Sequence, residues 1–144
     1  MPVSVKSILD VKGRAVVTIG PQTTLAEAAG KLAEHRIGAL VIGELGGTIS
    51  GIFTERDVVK AVAKYGRESY DQTVANIMST NLVKCSENST VDEVMEMMTQ
   101  RRFRHVPVEE NGKLTGIISI GDVIKSHIRE IELQAEHLQA YIAS

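Results

Sequence analysis

Gly51-Ile52-Phe53-Thr54-Glu55-Arg56-Asp57-Val58 returns later in the chain as Gly116-Ile117-Ile118-Ser119-Ile120-Gly121-Asp122-Val123. Each stretch is a glycine, two apolar residues, a hydroxyl residue and, three places on, an aspartate. A hydroxyl at an N-cap and an acid in the first turn start a helix, so both stretches read as a strand running straight into one. Outward from this point the match continues. Arg36-Ile37 meets Arg102-Phe103, Thr24-Leu25-x-Glu27 meets Thr90-Val91-x-Glu93, and Val17-Thr18-Ile19 meets Val83-Lys84-Cys85. The approach repeats too, with Val5-x-x-Ile8-Leu9 opposite Val74-x-x-Ile77-Met78. The chain is written twice, with a one-residue difference in one loop.

Each copy reads as strand, helix, strand, strand, helix, a mixed α/β (α+β) pattern. Val16–Ile19 and Leu82–Cys85 are β-prone entries. Thr24 and Thr90, each with Glu three residues on, form capping boxes. Leu25, Ala28, Ala29 and Leu32 then recur at helical spacing, as do Val91, Val94, Met95 and Met98, and both stripes are core. Ala39–Ile42 and Thr48–Phe53 form one strand pair. Val106–Val108 and Leu114–Ile118 form the other, joined through Asn111-Gly112, a hairpin-turn signal. The closing helices start at Glu55 and at about Ile120. One copy buries only a marginal core, so two copies closed on each other about a pseudo-twofold axis are expected. The expected organisation is residues 1–66 for the first repeat with its lead-in, 67–73 for a polar linker, 74–130 for the second repeat, and 131–144 for a helical extension.

Composition bounds what such a pair does. The 144 residues are 43% hydrophobic and 24% charged, which suits a folded globule. Sixteen Lys and Arg against 18 Asp and Glu leave a net charge of −2, which disfavours binding to nucleic acid through phosphates. Aromatics at 3%, with no Trp, argue against base-stacking platforms. The single Cys rules out an intrachain disulfide and fits a reducing compartment. Met1 to Lys12 lacks the apolar core of a signal segment, and no apolar run approaches a membrane span. The expected location is the cytoplasm, without membrane contact.

The paired Thr54-x-x-Asp57 and Ser119-x-x-Asp122 carry two readings. As caps they satisfy the first N–H groups of their helices. The same geometry offers N–H groups and a hydroxyl to a phosphate, and a carboxylate that can accept both hydroxyls of a ribose. Other chemistry is poorly supported. His35, His105, His127 and His137 have no zinc-like spacing, Cys85 has no CxxC partner, and there is no P-loop or GxSxG.

The two closing motifs, together with Arg104-His105-Val106-Pro107-Val108 and Ile37-Gly38-Ala39-Leu40-Val41, resemble cystathionine-β-synthase-type (CBS) domains. The resemblance covers roughly residues 1–130, in two copies with the matching element order. It implies a tandem pair, or Bateman module, of the stand-alone bacterial type, with two clefts for adenosine-containing ligands. By this resemblance the first cleft combines Thr54 and Asp57 with Val83 and Cys85 and with Arg104 and His105. The second combines Ser119 and Asp122 with Thr18 and Ile19 and with Gly38 and Ala39. Arg104 and His105 put cations where phosphates would sit in the first cleft, and Arg56 is a further candidate. Arg101 and Arg102 read as closing a helix against its negative end. The implied function is a sensor that binds an adenine nucleotide (AMP or NAD(H), with ATP and ADP possible) and uses no catalytic cofactor. With no effector domain fused, it would act on a target protein in trans. An interaction adaptor whose motifs merely cap helices is the alternative.

Ile124, Ile128, Ile131, Ala135, Leu138 and Ile142 form a heptad-like seam along the last helix, beyond what the repeat needs. Three roles stay open for it at this point: packing back on its own module, pairing two modules as a homodimer, or docking a target.

Overall fold

The computed structural model describes residues 3–143, so residues 1, 2 and 144 of the expected ranges lie outside the described residues. The elements are α1 (Val5–Lys12), β1 (Thr18–Ile19), α2 (Leu25–His35), β2 (Ala39–Gly43), β3 (Ile49–Thr54), α3 (Glu55–Tyr65), α4 (Val91–Arg101), β4 (His105–Glu110), β5 (Lys113–Ser119) and α5 (Ile120–Ala143). Two short 3-10 turns, Gly66–Asp71 and Val74–Asn76, join the halves. The polar stretch between the repeats is thus a wound turn, with Ser69 fully buried.

The caps form where the hydroxyl residues stand. Thr24 and Thr90 accept hydrogen bonds from the backbone N–H of Glu27 and Glu93 at 3.2 and 3.1 Å. In the first sheet β2 lies between β1, parallel to it, and β3, antiparallel to it. In the second, β4 and β5 form a hairpin whose turn residues Asn111 and Gly112 take φ of 52° and 77°. Positive φ at both central positions is what the type I′ turn demands, and Asn-Gly tolerates it.

The expected entry strand Leu82–Cys85 shrinks to a single parallel bridge, Cys85 to Val108. Its counterpart shows why. In the first sheet the Val41 N–H donates to the Val17 carbonyl at 3.2 Å. The residue matching Val41 in the second copy is Pro107, which has no N–H to give to Val83.

Two cores form, and each is closed by the other repeat's lead-in. Val5 and Leu9 of α1 are fully buried among Cys85, Val91, Val94, Met98, Val106, Val108, Ile118 and Val123 of the second repeat. Val74, with Ile77 and Met78 packed beside it, closes the core of the first, around Leu25, Leu40 and Phe53. Burial of each such aliphatic side chain is worth about 2 kcal/mol. The backbone follows the same exchange. Val5 N–H donates to Ser89 O and Val91 N–H to Val3 O, while Val74 N–H donates to Thr23 O and Leu25 N–H to Gln72 O. This reciprocity expresses the pseudo-twofold relation in hydrogen bonds. At the far end, Gly46 N–H donates to Leu114 O and Leu114 N–H to Gly47 O, tying the two hairpins together.

The motif glycines exist because of this exchange. A Cβ at Gly116 would meet both Leu9 methyls at 2.9 Å, and one at Gly51 would meet Met78 Sδ at 2.5 Å and Ser79 O at 3.0 Å. Only glycine leaves room for the apolar residue arriving from the other repeat.

Candidate functional site

The strand-to-helix junctions bring the two aspartates into equivalent settings. The Thr54 backbone N–H donates to Asp57 Oδ2 at 2.9 Å and the Thr54 hydroxyl at 3.3 Å. The Ser119 N–H and hydroxyl donate to Asp122 Oδ2 at 2.9 and 3.0 Å. Each carboxylate is therefore held by its own cap through one oxygen. Capping and ligand binding are compatible here, because the second oxygen is not used by the cap.

A cavity of about 350 Å³ opens at the Asp57 junction, within the size range of small-molecule sites. From the first repeat it takes Gly38, Thr54, Arg56, Asp57 and Lys60 together with Ile52 and Glu55. From the second it takes Ser79, just after that repeat's lead-in, and the end of α4 and the start of β4, Arg101 to His105. Five cationic side chains thus share a lining with two carboxylates.

Of the residues expected in the first cleft, the structure gathers Thr54, Arg56, Asp57, Arg104 and His105 around this cavity. Val83 and Cys85 are not among its lining residues. The Cys85 side chain is buried in the second core, and burial pushes its thiol up to about 12, with Glu110 adding to the effect. Its backbone is committed as well, the N–H to Pro107 O and the carbonyl to Glu109 N–H. Of those expected in the second cleft, Gly38 lines the first cavity instead, Ile19 and Ala39 are buried, and Thr18 is half-buried on β1. Arg101 and Arg102 close α4 as read, Arg102 at φ 59°, and line the cavity too. Lys60 and Ser79 were missed. Lys60 stands four residues after Arg56 and three after Asp57, so helical spacing from the motif was the signal for it.

Gly38 and His105, the entries to β2 and β4, face each other: a Cβ at Gly38 would stand 3.0 Å from His105 Cε1. Burial pushes the His105 imidazole below the ordinary histidine value. Glu55 and Asp122 oppose that shift, and Lys12 and Arg104 add to it. His105 is therefore within electrostatic reach of both junctions, and burial favours its neutral form over the phosphate-facing cation that the sequence suggests.

At the second junction Lys12 Nζ lies 2.7 Å from Asp122 Oδ2. Burial would raise the Asp122 carboxyl, but the hydrogen bonds from Lys12 and Ser119 hold it below the usual carboxylate range. Among the described residues Asp57 has no such ion pair.

Comparison with known proteins is decisive for the family. The CBS domain pattern matches twice, over residues 5–64 and 74–128. The chain belongs to the CBS domain family. The CBS pair is similar to the CBS domain-containing protein YhcV of Bacillus subtilis, 31% identical over 81% of this chain and 82% of that protein. It is 33% identical to the mitochondrial CBS domain-containing protein CBSX3 of Arabidopsis thaliana over 83% of this chain, but spans only 60% of that longer relative. Among solved structures, the CBS-domain containing protein ATU1752 from Agrobacterium tumefaciens superposes with a TM-score of 0.83 at 58% identity, covering 87% of this chain and 99% of that one. Two more distant CBS structures hold ligands. PAE2072 of Pyrobaculum aerophilum is complexed with AMP (28% identity, TM-score 0.74, 83% of this chain and 89% of that one). The domain pair of MJ0100 is complexed with 5-methylthioadenosine and S-adenosyl-L-methionine (27% identity, TM-score 0.79, 90% and 99%). Among the described residues no helix is long and apolar enough to cross a membrane.

Proposed function

We propose that this CBS pair is a regulatory module that binds an adenine nucleotide in the cavity between Asp57 and the Arg101–His105 segment and catalyses no reaction. The observation that carries the reading is the juxtaposition of a cap-fixed carboxylate with five cations in one lining. Asp57 presents a free oxygen to ribose hydroxyls. Arg56, Lys60, Arg101, Arg102 and Arg104 supply the charge-assisted donors that phosphates require. The AMP bound to PAE2072 and the adenosine derivatives bound to MJ0100 support an adenosine ligand. The cations favour the phosphorylated members: AMP, ADP, ATP or NAD(H).

The output is a population shift. A nucleotide touching both repeats favours one arrangement of the pair, and a target protein in trans reads that arrangement. A homodimer carries the signal. Val59 and Val62 on α3, and Ile124, Ile128, Ile131, Leu138 and Ile142 on α5, are between 46% and 75% exposed, apolar side chains that a second copy would cover.

Calorimetric titration with AMP, ADP, ATP, NAD and NADH tests the reading. At least one should bind, and Asp57→Ala should weaken it by about tenfold or more, the loss of a charge-assisted hydrogen bond pair. Absence of binding across the panel, or an Asp57→Ala variant of unchanged affinity, would overturn it.

A further inference from the structure

The two aspartates are held alike by their caps and differ in one respect: Asp122 already has a cation on it. Lys12 Nζ and Asp122 Oδ2 are 2.7 Å apart, and the two side chains keep only 31% and 19% of their exposure. The lysine comes from the last turn of α1, which is not free to move away. Val5 and Leu9 of that helix are fully buried in the second core, and just beyond it Arg14 pairs with Glu87 at 2.6 Å. Aligning the lead-ins puts Asn81, an uncharged residue, where the first junction would need its own lysine.

We propose that Lys12 is a built-in occupant of the second cleft, a latch on Asp122 that keeps a nucleotide ribose from seating there, so that each chain binds one nucleotide and binds it at Asp57. This rests on the nucleotide reading above and extends it to stoichiometry. Lys12 shares Oδ2 with the cap, so it contests the space beside the carboxylate rather than its second oxygen: a ribose seating at Asp122 has to push the ammonium off a charged partner in a half-buried site, an unfavourable exchange. A phosphate gives little in return, because Gly38 and Ala39 hold the positions that Arg104 and His105 hold in the first cleft, and Gly38 and Arg104 both belong to the first cavity. Asp57 imposes no such exchange.

The test is the number of sites per chain, measured by equilibrium dialysis with labelled AMP and labelled ATP. The wild-type protein is compared with Lys12→Gln, which keeps most of the stem and removes the charge, and with Lys12→Gln/Asp122→Ala. Wild type should bind one nucleotide, Lys12→Gln two, and the double variant one again, with the second site gaining about tenfold or more in affinity. Cooperative thermal unfolding of each variant establishes that it is folded. Two sites of similar affinity in wild type overturn the latch, as does a single site in folded Lys12→Gln. If wild type binds nothing, the reading of the Asp57 cavity fails. The latch then still requires one site to appear in Lys12→Gln, and falls if none does.

Discussion

Leu9 lies directly over Gly116: a methyl group on that glycine would stand 2.9 Å from both Leu9 methyl carbons. The two residues are far apart in sequence, and their contact welds the N-terminal helix to the second sheet. The equivalent contact, Met78 over Gly51, does the same for the first.

Gly116→Ala should therefore destabilise the protein by about 1–3 kcal/mol, the range for overpacking a close-packed core. Gly51→Ala should do at least as much, because the Ser79 carbonyl oxygen, a backbone atom, is also 3.0 Å from the added carbon. Denaturant unfolding measures both. Leu9→Ala makes room for the new methyl group, so the Leu9→Ala/Gly116→Ala double variant should cost less than the sum of the two single variants. Strict additivity would show that the glycine is not there for Leu9.

His105 makes stability depend on pH in a known direction. Burial holds its folded-state value below the ordinary one of about 6.5. Above that value both states are neutral and nothing is lost. Below it the unfolded chain takes the proton first, so stability falls as the solution is acidified towards the folded-state value. From about pH 7.5 to about 5.5, wild type should lose more unfolding free energy than His105→Gln. An equal loss in both would remove His105 as the source.

Of the 24 residues of α5, a helix of about 36 Å, only Val123 is buried. The seam Ile124, Ile128, Ile131, Leu138 and Ile142 does not fold back on its own module. Ending the chain after Arg129 should convert a dimer to a monomer in sedimentation, while shifting the unfolding free energy of the remaining fold by no more than about 1 kcal/mol. An unchanged oligomer would place the interface elsewhere.

Most of this architecture was legible in the sequence because it is local. Threonine caps, the Asn111-Gly112 turn and the strand-to-helix motifs are set by neighbours a few residues apart, and repetition doubled every signal. The resemblance points to Arg104 and His105, and the cavity brings them into one lining with Thr54 and Asp57. What escaped is pairing at a distance. Val5-x-x-Ile8-Leu9 and Val74-x-x-Ile77-Met78 announce that they are apolar, but not which core they enter. Pro107 removes a ladder bond whose partner lies in another segment. The Lys12–Asp122 pair joins positions 110 residues apart, beyond any periodicity.

The exchange of lead-ins puts the folding unit out of phase with the repeating unit. Residues 17–78 contain every member of the first core, including Val74 and Met78. The second core is assembled from two distant pieces, Val3 to Leu9 and Cys85 to Val123. On a chain emerging from its N-terminus, the first half can close as soon as Met78 has appeared, whereas α1 must wait, with Leu9 uncovered, until the last strand and helix exist. The earliest-made segment is among the last to find its place, and its docking turns two successive halves into one closed body.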